Sequence, residues 1–385
     1  MSHIKTTHVG SMPRGGELTP LLRARDAGEP YDVAEFDAKV SAAVDHAVAK
    51  QIECGVDVVS DGEIGKIGYS TYMIERLSGF GGRVDRKPAA DLAEHPDLSR
   101  KLSAIMGSQD FVRASCVDQI RLVTLDPLWE DIRRFKAALA NHAKPGTEAF
   151  MNAASPGLIT AFQVNQFYPS HEAYLADLAD AMRAEYETIV AEGFLLQLDC
   201  PDLAMSRHTG YQDLTEAEFL KVAAANVEAL NAATANIPPE RMRMHVCWGN
   251  YEGPHDHDIP LEKVIDIVVG ARPATVLFEA ANPRHEHEWK VWAEAKLPDW
   301  KVLAPGCIDT CSNYVEHPEL IAQRVERFAG IVGPDRVIAS TDCGFGTFAG
   351  YGKIDPEVTW KKLRSLRQGA DIAGARLGVE AVPAQ

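Results

Sequence analysis

Four residues able to ligate a soft metal stand at or near the ends of short apolar, β-branched runs. They are His245 and Cys247 in MRMHVCWGN, Glu279 in TVLFEAAN and Cys343 in RVIASTDCG. A helical pattern follows each run. In a (β/α)8 barrel such strand ends open onto the active-site mouth, so side chains far apart in sequence can converge on one ion. Two thiolates, an imidazole and a carboxylate suit zinc, which thiolate and imidazole ligands hold better than oxygen ligands do. The chemistry expected of such a site is a catalytic Zn2+ that activates a thiol. The plain alternative is a set of buried strand-end side chains. Alternate residues on one strand share a face whatever their role, and cysteine is often buried without any function.

The elements that must position these residues repeat along the chain. Strands are predicted near 4–10, 56–61, 149–154, 194–199, 242–247, 275–280, 301–306 and 336–342. Helical periodicity covers 34–54, 172–192, 215–235, 260–270, 318–331 and 357–376, with apolar residues recurring at three- and four-residue steps. Thr215 ahead of Glu216 and Glu218, and prolines at 260 and 318, are sensible helix starts. Strands alternating with helices predict a parallel sheet, and eight of them predict closure into a barrel. The expected fold class is α/β, a single (β/α)8 TIM barrel spanning 1–385. An insertion between strands 2 and 3, about 64–148, should arch over or beside the barrel mouth. It holds a helical segment (TYMIERLSGF), a charged loop, an alternating run (FVRASCVDQIRLVT) that reads as strand or hairpin, and a further helix (DPLWEDIRRFKAALANH).

Composition narrows the function classes. A chain of 385 residues with 46% hydrophobic and 24% charged residues can bury a large core and reads as an ordinary globular protein. A net charge of −16 argues against nucleic acid or an anionic membrane as partner. No apolar run approaches the roughly 20 residues that span a bilayer, and MSHIKTTHVGSMPR has no apolar signal region. Seven cysteines without compact spacing do not predict a disulfide framework. The expected compartment is the reducing cytoplasm, where thiolate ligands survive.

At this point the sequence resembles the cobalamin-independent methionine synthase family, specifically its C-terminal catalytic barrel. The resemblance runs through THVGSMPR, DGEIG at 61–65, LLQLDCP, MHVCWGN, FEAAN, APGCIDTCSNYVE and STDCGFGTF, in that order over nearly the whole chain. It implies zinc held by His245, Cys247, Glu279 and Cys343, with a small thiol such as homocysteine activated as thiolate and alkylated by a donor. Homocysteine itself would be recognised by Gly10 and Ser11, matching the turn that holds the carboxylate, and by Glu63 and Asp199, matching acidic residues at the amino group. For these four, a plain turn or a helix cap is the competing reading.

Some motifs depart from the family. Cys311 stands where the family carries its catalytic histidine, Cys200 follows Asp199 where glutamate is usual, and ASPGLITAFQVNQFY lacks the tryptophan of the folate region. The family's additional N-terminal barrel has no counterpart in these residues. Efficient use of polyglutamyl methylfolate is therefore not expected, and a methylcorrinoid or an epoxide-like electrophile is. WGNYEGPH, IDTCSNYVEHPE and TDCGFGTF resemble the stand-alone short branch that includes epoxyalkane:coenzyme M transferase, in which a thiolate opens an epoxide. Proton-donor candidates are Cys311 and His255, followed by His257, His8, Tyr69 and Tyr72. Arg14 is the cation that could meet a sulfonate thiol. Methyl transfer is the leading reading; epoxide opening and a non-catalytic zinc-binding module are the alternatives.

Overall fold

The computed structural model describes residues 3–84, 87–106 and 114–379. Eight parallel strands, one for each predicted run, form the barrel. They are β1 (Lys5–Thr6), β2 (Val58–Ser60), β3 (Glu148–Ala154), β4 (Leu195–Asp199), β5 (Met242–Val246), β6 (Thr275–Phe278), β7 (Val302–Ile308) and β8 (Ile338–Thr341). Each pairs with its sequence neighbour from β2 to β8, and β8 pairs back onto β1. The ring is nearly closed between β1 and β2, where the Asp57 N–H donates to the Thr6 carbonyl at 3.2 Å and the Thr7 hydroxyl to the Val58 carbonyl at 3.0 Å. The molecule is thus a (β/α)8 barrel.

Helices follow the strands: α1 (Val33–Glu53), α2 (Asp126–His142), α3 (His171–Ala191), α4 (Glu216–Ala233), α5 (Leu261–Val269), α6 (Trp289–Glu294), α7 (Pro318–Val332) and α8 (Pro356–Arg376). Several begin where the sequence marks a start. Thr215 and Glu218 satisfy each other's backbone N–H groups in a capping box. Asp32, Ser170 and Asp355 accept from first-turn N–H groups of α1, α3 and α8, each cap contributing about 1 kcal/mol.

The stretch between β2 and β3 has two parts. From residue 61 to 125 it leaves the barrel, the described residues forming a 3-10 turn at Tyr72–Glu75, a short antiparallel pairing of Phe80–Gly81 with Ser115–Cys116, and helices Ala90–Glu94 and Pro96–Met106. The alternating run expected to be strand or hairpin is realised as Ser115–Cys116, while its start, 111–113, lies outside the described residues. The run then returns as α2, which lies against α1 through Arg134–Asp37 and Asn141–Asp45. DPLWEDIRRFKAALANH is therefore the barrel's own second helix, with the excursion ahead of it.

Strand β5 shows how the barrel orients side chains. Met242, Met244 and Val246 join the hydrophobic core, while Arg243 points across the barrel, donating to the Thr7 hydroxyl at 2.9 Å and the His8 carbonyl at 2.7 Å. With a side-chain period of two, His245 and Cys247 share the Arg243 face, and this brings them to the mouth.

Candidate active site

At the C-terminal mouth a small cavity is lined by His245, Cys247 and Cys343 on one side and by Ser11, Glu63 and Asp199 on another. Tyr69, Met205, Asn250 and Thr347 complete much of the wall. Potential ligand atoms of His245, Cys247 and Cys343 all lie within 4.8 Å of one another. Glu279 sits just behind, its Oε1 3.9 Å from the Cys343 Sγ. Both its oxygens are held: Oε1 accepts from the Trp248 backbone N–H at 2.7 Å and Oε2 from the Asn282 amide at 2.8 Å. Such supports fix a carboxylate for coordination.

The donor set fits a divalent cation. His245 is buried and its Nδ1 has no hydrogen-bond partner. Burial, with Arg243 nearby, lowers its pKa to about 3, which keeps the ring neutral and a lone pair available. A hydrogen bond from Cys343 favours the Cys247 thiolate, but burial and the Glu279 carboxylate outweigh it and push that thiol up. Cys343 is raised by its bond to Cys247 and by burial. Asp342, also buried, is raised by burial and by Glu279; its Oδ1 accepts from Ala280 and Ala281 N–H and its Oδ2 has no partner. The carbonyl-side space for Asp342 exists because residue 306 is glycine: a Cβ there would fall 1.9 Å from Oδ1. Buried acidic groups gathered in this way suit a positive ion, and two thiols with an imidazole favour a soft one.

The opposite wall is acidic as well. Glu63 is 3% exposed, its Oε2 lacks a hydrogen bond, and the Lys66 ammonium stands 3.9 Å away. Its backbone takes φ +52, a left-handed conformation that costs about 1–3 kcal/mol in a non-glycine residue and concentrates at functional sites. Asp61 accepts the Glu63 N–H at 3.0 Å and helps to hold that turn. Asp199 accepts from the Asn152 amide at 3.2 and 3.3 Å and from Gln197 at 3.3 Å. Burial and then the nearby Glu63 charge push its carboxyl up to about 8. The Gly10–Ser11 turn is fixed by the Gly10 N–H donating to His8 Nδ1 at 3.1 Å and by the Ser60 hydroxyl donating to the Gly10 carbonyl at 3.1 Å. Gly10 has φ +141, and a Cβ there would lie 2.3 Å from Asn152 Oδ1.

The proton-donor candidates are placed elsewhere. His255 is not among the residues lining the cavity; its Nδ1 faces Asp258 at 2.8 Å and its Nε2 the Tyr251 carbonyl at 2.9 Å. Cys311 lines a neighbouring, smaller cavity and donates to Asn250 Oδ1 at 3.3 Å. His8 is committed to Gln51 and the Gly10 N–H, His257 pairs with Glu94, and Tyr72 donates to Glu185 at 2.6 Å. Arg14 donates to the carbonyls of Gly346 and Glu63 and does not line the cavity. Of the tyrosines, only Tyr69 reaches the cavity wall. Trp248, Asn250, Asn282 and Asp342 were not singled out from sequence. Their signal was adjacency to the ligand motifs, in CWGN, EAAN and TDCG.

No family model matches the chain. It is 23% identical over 382 residues to a methionine synthase of Thermococcus kodakarensis, covering 98% of this chain and 95% of that protein. It is also 23% identical to a methionine synthase of Saccharolobus solfataricus, covering 97% and 96%. Among solved structures it resembles a B12-independent methionine synthase from Shewanella sp. W3-18-1 in complex with selenomethionine, with TM-score 0.71, 18% identity and 97% and 99% coverage. A putative vitamin-B12-independent methionine synthase from Listeria monocytogenes aligns with TM-score 0.61, 20% identity and 96% and 98% coverage. The family resemblance read from the sequence holds along the whole barrel.

Proposed function

We propose that this chain, a relative of the cobalamin-independent methionine synthases, is a zinc-dependent transferase that methylates a small aminothiol such as homocysteine. The observation that carries the reading is one cavity with two opposed chemistries. A soft-ligand cluster of His245, Cys247 and Cys343, backed by Glu279, stands on one wall, and the carboxylate pair Glu63 and Asp199 on the other. The named relatives are methionine synthases, which agrees with it.

Zinc bound by these four residues would supply a Lewis acid that makes the substrate's thiol ionise near neutral pH. The chain's own residues do the rest. Glu63 and Asp199 repel each other in a buried setting, so a substrate ammonium between them relieves that repulsion and orients the molecule. Ser11 and the Gly10 turn offer a hydroxyl and closely approachable backbone to the carboxylate. With amine and carboxylate held on one side, the thiol is carried toward the ligand cluster on the other. Proton donation by His255 or Cys311 is not part of this reading, because neither lines the cavity.

The electrophile is expected to be an activated methyl donor. An activity screen tests the whole reading by pairing homocysteine and other thiols with methylfolate, methylcobalamin and a short epoxide. Methionine formation from homocysteine supports it. Absence of turnover with every pair, in protein shown to carry zinc, would favour a metal-binding module instead.

A further inference from the structure

Beside the ligand wall lies a buried cluster of histidines and carboxylates that the proposed chemistry leaves unused. Four excursions from the barrel meet there: Asp91 after β2, His208 after β4, Tyr251, His255 and Asp258 after β5, and His285 and Glu288 after β6. Asp258 is at its centre. Its Oδ2 is 2.8 Å from His255 Nδ1 and 2.9 Å from His285 Nε2, and its Oδ1 is 3.1 Å from His208 Nδ1.

The remaining nitrogens of two of these rings are also spoken for. His255 Nε2 lies 2.9 Å from the Tyr251 carbonyl oxygen, and His285 Nδ1 lies 2.8 Å from Glu288 Oε2. Carbonyl and ionised carboxylate oxygens only accept hydrogen bonds. Each ring therefore needs a hydrogen on both nitrogens, and only an imidazolium has that. The charges around them agree. Asp258 and Glu288 touch the rings directly, and Asp91 accepts from the Tyr251 hydroxyl at 2.8 Å and the His255 backbone N–H at 3.0 Å. Burial works against both cations, yet bonding to Asp258 carries His255 up to about 9, and Asp258 with Glu288 carries His285 up to about 10. His208, facing the other oxygen, is lowered by burial.

Two contacts connect this cluster to the ligands. The His285 ring stacks on Trp248 with centroids 4.2 Å apart, and the Trp248 N–H is the group that holds Glu279 Oε1. Trp248 also follows Cys247 directly, and its indole N–H is anchored on the Ile259 carbonyl at 2.6 Å. His255, stacked on Tyr251 at 4.4 Å, is held at φ +56. A non-glycine residue keeps such a conformation only where its surroundings over-determine it.

We propose that His255 and His285 are paired imidazolium ions sharing Asp258 as counter-ion, and that this trio positions the ligand-bearing loop through Trp248, fixing Cys247 and the orientation of Glu279. Asp258, His255 and His285 are then positioning residues. The inference deepens the zinc reading, and rests on it for what Cys247 and Glu279 hold.

The test begins with the unmodified full chain. NMR of isotope-labelled histidine near pH 7.5, assigned with His255→Gln and His285→Gln, should show both nitrogens protonated in both rings. A neutral tautomer in either ring overturns the proposal, as does a second divalent ion bound per chain that is lost in Asp258→Asn. In cobalt-loaded protein, Asp258→Asn should shift the ligand-field spectrum and weaken metal affinity by up to about tenfold, the low end of the cost of losing a partner bonded directly to a ligand. An unchanged spectrum and affinity in a cooperatively folded Asp258→Asn protein also overturns it. Where Asp258→Asn does not fold, His285→Gln is read in the same way. Failure of the zinc reading would appear separately, as metal content unaffected by changing Cys247 and Cys343 while the imidazolium signals persist.

Discussion

The Sγ atoms of Cys247 and Cys343 lie 3.5 Å apart although 96 positions separate them in the chain. That is well beyond the roughly 2.05 Å of a disulfide and close enough for both to bind one ion. The contact exists because β5 and β8 deliver their C-terminal ends to the same mouth. Protein purified without added metal should carry close to one zinc per chain. Cys247→Ser or Cys343→Ser should weaken zinc binding by at least about tenfold, since even outer-shell partners are worth that much. Elemental analysis decides the matter, and full zinc retention in both variants would remove the site.

Glu63 offers a second test, because it acts on recognition and not on the metal. A charge-assisted contact to a substrate ammonium is worth about 1.5–3 kcal/mol. Glu63→Gln should therefore raise KM for homocysteine by roughly ten- to a hundredfold and leave zinc content unchanged. A thiol of the same length without the amino group should be affected little. Equal losses on both thiols would assign Glu63 a structural role only.

These two sites differ in how far the sequence disclosed them. His245, Cys247, Glu279 and Cys343 follow apolar runs whose period and length mark strand ends, so their convergence could be anticipated from the barrel alone. Every predicted strand and each predicted helix outside the insertion is found within a few residues. The role of DPLWEDIRRFKAALANH was less legible. Its helical period was plain, but only packing against Asp37 and Asp45 of α1 identifies it as a barrel helix. The environment of His255 was illegible. GPHDHD looks like an exposed loop, and its burial depends on Asp91, His208, His285 and Glu288, which arrive from other segments. Likewise, nothing local to Arg14 reveals that backbone carbonyls occupy it.

Asp199 ties the same wall to pH. Its carboxyl is carried from an ordinary 3.8 up to about 8 by burial and by Glu63. A carboxyl raised on folding binds its proton more tightly in the native state, so its contribution is fully present below about pH 4 and is lost as pH rises through about 8. Substrate-free protein should accordingly lose stability between these limits, and Asp199→Asn should flatten that part of the profile. Thermal midpoints measured across pH 4 to 8 read the effect. An Asp199→Asn profile parallel to that of the parent would exclude Asp199 as its source.

Gly10 should tolerate no side chain. At φ +141 any Cβ is strained, and its nearest neighbour would be the Asn152 amide, 2.3–2.7 Å away. That same amide supports Asp199. Gly10→Ala should destabilise the fold by about 1–3 kcal/mol and raise KM for the aminothiol as Asn152 is displaced. Denaturant unfolding and steady-state kinetics together check this. A stable variant with unchanged KM would mean that the turn can shift without disturbing the acidic wall.

The same wall also discriminates between thiol classes. Among the described residues, the side chains lining the cavity include Glu63 and Asp199 but no lysine or arginine; the nearby Lys66 donates to the Asn152 carbonyl, and Arg14 is engaged by the carbonyls of Gly346 and Glu63. A sulfonate thiol would bring an anion against the buried Glu63–Asp199 pair, where a like charge costs more than it does in water. An aminothiol brings an ammonium, which joins Lys66 in offsetting the acidic pair. Homocysteine should therefore bind at least about tenfold more tightly than coenzyme M, a difference of about 1.4 kcal/mol. Cobalt-substituted protein gives the readout, because a thiol reaching the metal alters its sulfur-to-cobalt absorption. Titration with each thiol yields the two affinities directly. Tighter binding of coenzyme M would mean that Arg14 or another cation turns into the cavity when substrate arrives, and it would move the reaction toward the sulfonate-thiol branch.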